Sequence, residues 1–251
     1  MSRSQRHLQG FKRRRELIKW RMSKPDKNAV LLITAFEPFD GAATNASLIL
    51  LEKLKQQDWQ GRVVFFGPVP VSFDEAWPLI RQEMANHPDI EGVLALGQAE
   101  GRKNISLERV ALNWKNASIP DNAGAQPRNK RVIAGGPDAL STTFPWQKLG
   151  DSPDWQKSYS AGTYVCNTLM YQLLDWSLRE GKIAGFVHVP LLASQNADWH
   201  FDAETPRMKD DTALAAMTRI IDFSLETIDA RLAATPAPAS PRKGRDKPPS
   251  V

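Results

Sequence analysis

Four short runs that are apolar at almost every position constrain the fold more than any other feature of the chain: "AVLLITAF" (29–36), "RVVFFGPVPVSF" (62–73), "IEGVLALGQ" (90–98) and "IAGFVHVP" (183–190). A strand with one wet face alternates apolar and polar residues, whereas a strand covered on both faces does not. The segments between these runs have helical spacing. A helix starting near Asn45 puts Ala46, Ile49, Leu50 and Leu54 on one face. Ser72 and Glu75 have capping-box spacing for a second helix, with Pro78 in its early turns. Residues 166–180 space Leu169, Met170, Leu173, Leu174, Ser177 and Leu178 as a helix face that Gly181 stops. A last amphipathic helix spans Asp210 to Leu232. Strands alternating with helices predict a sheet covered on both faces, with active-site residues in loops beyond the strands' C-terminal ends.

With 251 residues, 41% of them hydrophobic, the chain can bury the core of one large α/β domain. Its formal charge of +5 suggests an anionic partner until the charge is located. Residues 1–28 hold ten Lys/Arg against two Asp/Glu, and 233–251 hold four against Asp246, so the segment between them is acidic. The predicted organisation is a basic, disordered extension (1–28), a domain (29–232) and a disordered Pro/Ala/basic tail (233–251). The extension is read as solvated, or as sequence upstream of a start at Met22, ahead of a nucleic-acid arm. A single cysteine excludes an intramolecular disulfide and a four-cysteine zinc cage, which makes a reducing cytoplasm the expected compartment. No apolar run approaches the roughly 20 residues of a membrane span.

That cysteine, Cys166 in "YSAGTYVCNTLMYQLL", falls at the predicted N-terminus of a helix. Unpaired N–H groups and the helix dipole there favour a thiolate and can hold an oxyanion, although a lone cysteine is otherwise read as a small buried hydrophobe. Of the four histidines, His7 lies in the extension, His87 at a helix end and His200 in a loop, whereas His188 lies near the end of a buried strand and could face the same crevice. Position alone leaves His188 equally open to a core role. Glu108, in "NISLERVALN", interrupts an apolar and polar alternation; it is a candidate orienting carboxylate or an ordinary glutamate paired with a neighbouring Arg.

Five stretches, "LLITAFEPFDGAATNAS", "ALGQAEGRKNISLERVALN", "IPDNAGAQP", "SAGTYVCN" and "GFVHVP", occur in the order and spacing of pyroglutamyl peptidase I, and the chain resembles that family of cysteine peptidases over roughly Val30 to Leu192. The resemblance implies a single-domain, three-layer α/β/α fold with a twisted, largely parallel, mixed central sheet. It implies a Glu, Cys and His triad at Glu108, Cys166 and His188, removal of N-terminal pyroglutamyl residues from peptides through a thioester, no metal or organic cofactor, and a homo-oligomer, dimer or tetramer. It also implies an apolar substrate slot lined by Phe36, Phe39, Ile119 and Tyr164, with Gln98 near the site. Ala35, Asp40 and Glu100 stand where the family pattern has glycine, which points to a narrower pocket or an altered loop, and Ser118 stands where many relatives carry Arg. Two other readings stay open: a cysteine amidase of different substrate on the same scaffold, and a noncatalytic protein whose basic ends contact an acidic partner.

Overall fold

The computed structural model describes residues 29–197, 202 and 204–235. The compact unit treated below runs from Lys27 to Ile228, and residues from Asp229 onward fall in the chain's other unit. His7, Met22, His200, residues 1–28 and most of the predicted tail lie outside the described residues.

In chain order the elements are β1 (Val30–Phe36), α1 (Ala46–Leu54), β2 (Val63–Val69), α2 (Ala76–Asn86), β3 (Ile90–Gln98), β4 (Ile105–Glu108), β5 (Val110–Leu112), β6 (Ala139–Ser141), β7 (Trp155–Ser158), α3 (Val165–Glu180), β8 (Ile183–Val189), β9 (Leu191–Leu192), β10 (Arg207–Met208) and α4 (Asp210–Ala234). The main sheet has the order β2-β1-β3-β8-β4-β7. Its first four strands are mutually parallel, β4 runs antiparallel to β8, and β7 runs parallel to β4. The sheet is therefore mixed and mostly parallel, with helices on both faces.

The apolar runs are explained by that double coverage. Every residue of β1 and β8 is buried. Val30 and Leu32 of β1, Val93 and Ala95 of β3, and Ala184 and Phe186 of β8 share a core with Ile80 of α2 and Val165, Leu169 and Leu173 of α3. The alternate residues Leu31, Ile33, Leu94 and Leu96 face the other way and are also buried. Ile228 of α4 approaches that second face beside Leu31. Among the described residues, no helix is long and apolar enough to cross a membrane.

Three local expectations need correction. The second strand stops at Val69 rather than running to Phe73: Pro68 and Pro70 lack N–H donors, and Val71 and Phe73 donate instead to the side chains of Glu37 and Asp121. Leu178 is 57% exposed, because Ser177 takes the buried place in that turn and its hydroxyl donates to the Leu174 carbonyl. Ile49 is half-buried, while Ser47 and Leu51 complete the buried face of α1. The helix boundaries follow their signals. Asn45 caps α1 by accepting from Ser47 N–H, Ser72 accepts from the N–H of Glu75 just before α2, and Gly181 ends α3 at φ 62°.

Candidate active site

His188 is the penultimate residue of β8 and continues the face of Ala184 and Phe186 that α3 covers. Glu108 closes β4. The antiparallel register sets Glu108 opposite Phe186 and Ser106 opposite His188, which makes Glu108 and His188 diagonal neighbours on one face. Their contact is direct, with His188 Nδ1 2.8 Å from Glu108 Oε1. An ionised carboxylate only accepts, so Nδ1 carries the proton and Nε2 presents a lone pair.

Cys166 is the second residue of α3. The helix's hydrogen-bond ladder starts with the Thr168 N–H donating to the Tyr164 carbonyl at 3.1 Å, so the N–H groups of Val165, Cys166 and Asn167 stand ahead of it. Asn167 anchors this end: its side chain accepts from Leu112 N–H and donates to the carbonyls of Leu112 and Trp114. The thiol lies over Gly97, which is the register partner of His188 on the adjacent strand. Neighbouring strands are about 4.8 Å apart, so this register brings the thiol and imidazole to the same spot on the sheet.

A Cβ on Gly97 would stand 3.0 Å from Cys166 Sγ and 2.9 Å from Phe186 Cζ. Gly97→Ala should therefore push the thiol off its seat, lowering kcat/KM by roughly 10- to 100-fold with a stability loss of about 1–3 kcal/mol. Steady-state kinetics beside a thermal melt checks this, and an alanine variant of wild-type activity would place the thiol elsewhere.

Burial pushes the Cys166 thiol up to about 12, and the Glu108 charge adds to that, against the lowering effects of Arg102 and of the cysteine's own backbone N–H. Desolvation thus outweighs the helix terminus that favours a thiolate. Burial also lowers the His188 pKa below its ordinary 6.5, against the hydrogen bond and charge of Glu108, which raise it; Arg102 lowers it further. Burial would raise the Glu108 pKa, but His188, Ser158 and Arg102 reverse this and hold it below 4.5. The resting site thus pairs a neutral thiol with a neutral imidazole and an ionised carboxylate. Alkylation of Cys166 by iodoacetamide should still be accelerating with pH above 9; a plateau below the ordinary thiol range near 8.5 would contradict a neutral resting thiol.

Beside the thiol is a narrow slot lined by Phe36, Phe39, Asn45, Val71, Gln98, Tyr164, Val165 and Cys166. Gln98 Oε1 accepts from Ala46 N–H at 2.7 Å and from Gln195 Nε2 at 3.0 Å, which leaves the Gln98 amide NH₂ as the end available to a ligand. The Tyr164 ring packs edge-on against Phe73 at 5.3 Å, and its hydroxyl donates to the Pro120 carbonyl. Of the predicted lining residues, Phe36, Phe39, Gln98 and Tyr164 meet here. Half-buried Ile119 does not line this slot, and its segment reaches it through the Pro120–Tyr164 bond.

Asn45, Val71, Val165, Asn167 and Arg102 escaped the sequence reading. Arg102 Nη1 donates to Glu108 Oε1 at 2.6 Å. Asn167 carried a readable signal, a polar residue on the apolar face of a helix. Of the glycine departures, Asp40 keeps positive φ (53°) ahead of Gly41 (77°), a conformation Asp tolerates, whereas beside Glu100 it is Gly101 that takes positive φ (78°). Ala35 is a buried strand residue at the point where the β1–β2 register shifts, and Ser118 is exposed. His87 caps α2 and pairs with Glu83 on the surface. Among the described residues, no cluster of three or more His, Cys, Asp or Glu is arranged to hold a metal ion.

The model of the pyroglutamyl peptidase family matches residues 29–227. The chain is 39% identical over 202 residues to a pyrrolidone-carboxylate peptidase of Erwinia tasmaniensis, covering 78% of this chain and 92% of the relative. It is 38% identical over 209 residues to one of Coprothermobacter proteolyticus, covering 79% and 96%. The crystal structure of pyroglutamyl peptidase I from Bacillus amyloliquefaciens superposes with a TM-score of 0.72 at 30% identity, covering 80% of this chain and 98% of that one. A strand register that joins a glutamate to a histidine, a thiol seated on the glycine beside that histidine, and these matches over most of both chains lead to one assignment: the chain belongs to the pyroglutamyl peptidase family.

Proposed function

We propose that this chain removes an N-terminal pyroglutamyl residue from peptides, with Cys166 as nucleophile, His188 as general base and acid, and Glu108 as the carboxylate that orients the imidazole. The observation that carries the reading is the buried Glu108–His188 contact on the face where Cys166 is seated.

Cys166 Sγ attacks the carbonyl carbon of the scissile bond while its proton passes to His188 Nε2. Glu108 stabilises the imidazolium so formed, and the N–H groups ahead of the α3 ladder lie where the oxyanion develops. His188 then gives the proton to the departing amine. A pyroglutamyl thioester remains on Cys166, and water, deprotonated by His188, releases pyroglutamate and restores the thiol.

The slot suits the substrate's chemistry. A lactam has no ammonium, so a carboxylate in the slot would find no partner; Phe36, Phe39 and Tyr164 offer an apolar ring site, and the Gln98 amide offers a donor for the lactam carbonyl. A synthetic peptide beginning with pyroglutamate should lose that residue as free pyroglutamate, detected by mass spectrometry, while the same peptide beginning with Gln stays intact. Cleavage of acetylated or formylated peptides instead would favour an amidase of different substrate.

A further inference from the structure

Arg102 enters the site from the turn between β3 and β4 and binds two segments at once. Nη1 donates to Glu108 Oε1 at 2.6 Å, and Nη2 donates to the Ser160 carbonyl at 3.2 Å. Ser160 lies in the loop that leads from β7 into α3, six residues before Cys166. Exposed ion pairs of this kind contribute little, but here the carboxylate is fully buried, and removing its partner leaves a buried charge uncompensated. Glu108 Oε1 receives both Arg102 and His188, while Oε2 has no hydrogen-bond partner among the described residues. Apart from His188 and the Ser158 hydroxyl on the register-paired β7, Arg102 is the group that holds the carboxylate, and its cation on Oε1 turns that oxygen toward the imidazole.

We propose that Arg102 is a positioning residue for hydrolysis: it turns Glu108 Oε1 toward His188 and ties the loop that delivers Cys166 to the same carboxylate. The inference rests on the Cys166, His188 and Glu108 reading above. Arg102 acts through Glu108 and touches neither nucleophile nor substrate. The charged groups acting on His188 are Glu108 from β4 and Arg102 from the β3–β4 turn, and Phe186 beside it on β8 is apolar. The guanidinium opposes a proton on His188, so its loss eases protonation of the base and moves the acid limb of the rate profile to higher pH. A residue that merely braced the fold would leave that limb in place.

The test uses the full chain and a fluorogenic pyroglutamyl amide with Arg102→Met, Arg102→Lys, Glu108→Gln and the Arg102→Met/Glu108→Gln double variant, each checked by circular dichroism. Arg102→Met should lower kcat by roughly 10- to 100-fold with little change in KM, and should raise the pH of the acid limb. Arg102→Lys keeps the charge but not the fork, so its acid limb should stay where wild type has it while kcat falls. Adding Arg102→Met to Glu108→Gln should cost less than about threefold more, because the two act as one unit. Arg102→Met activity within about threefold of wild type, or losses that multiply in the double variant, overturns the proposal. If Arg102→Met fails to fold, Arg102→Lys decides, and wild-type kcat in that variant overturns it. A wild type that hydrolyses nothing overturns the proposed function instead, which keeps the two failures apart.

Discussion

Cys166→Ala is expected to abolish hydrolysis of a pyroglutamyl amide while leaving the slot able to bind. The substitution removes one sulfur atom seated over Gly97, so neither the β3–β8 ladder nor the Asn167 anchor is disturbed. Without Sγ no thioester forms, and a loss of kcat of at least about 10⁴-fold is the expected scale for removing a nucleophile. Binding of pyroglutamate, followed by calorimetry, should change by less than about threefold, since the ring contacts lie on Phe36, Phe39 and Tyr164. A Cys166→Ala protein that kept more than about a hundredth of the wild-type rate would remove the cysteine from the mechanism.

His188→Ala should cost nearly as much, for a reason that can be put on a scale. With burial pushing the Cys166 thiol up to about 12, little of it is ionised at pH 7, and without a base that small fraction is all the nucleophile there is. A loss of about 10⁴- to 10⁵-fold follows, and it should shrink about tenfold for each pH unit as hydroxide takes over the role of the imidazole. Wild type should show no such rise. The double variant with Cys166→Ala should be no worse than either alone, because the two residues act as one unit. A pH-independent His188→Ala enzyme would mean that another group removes the thiol proton.

Much of the scaffold was legible because burial leaves a simple trace. Runs such as "VLLITAF" and "IAGFVHV" are apolar at almost every position since helices cover both faces, and their C-terminal ends point to the crevice. The start of α3 beside Cys166 was readable from the Gly-containing turn before it and the periodicity after it. Pairing was not readable. "ISLE" could pair with several strands, and the bond from Glu108 to His188 crosses 80 residues through an antiparallel step in an otherwise mostly parallel sheet. The charge state of the thiol was hidden for a related reason: a helix terminus is a local feature, whereas the desolvation that opposes it comes from β3, β8 and the slot. Arg102 was invisible because a cation after a Gly-rich turn reads as solvated surface until β4 carries a buried carboxylate beneath it. Ile119 stayed off the slot although its motif was recognised, because the structure turns that segment's Pro120 carbonyl, rather than the isoleucine, toward Tyr164.

The most direct test of the central claim, a thiol peptidase built around a lactam slot, compares kcat/KM of the wild-type protein for a pyroglutamyl amide and for the prolyl amide of the same fluorophore. The two rings have the same size, but proline brings a charged amine into an apolar slot and leaves the Gln98 amide without its carbonyl. The account predicts a preference for the pyroglutamyl substrate of at least about 10³-fold, the scale on which a site built for a polar group rejects an analogue that lacks it. Equal turnover of the two amides, or a preference for proline, would contradict it.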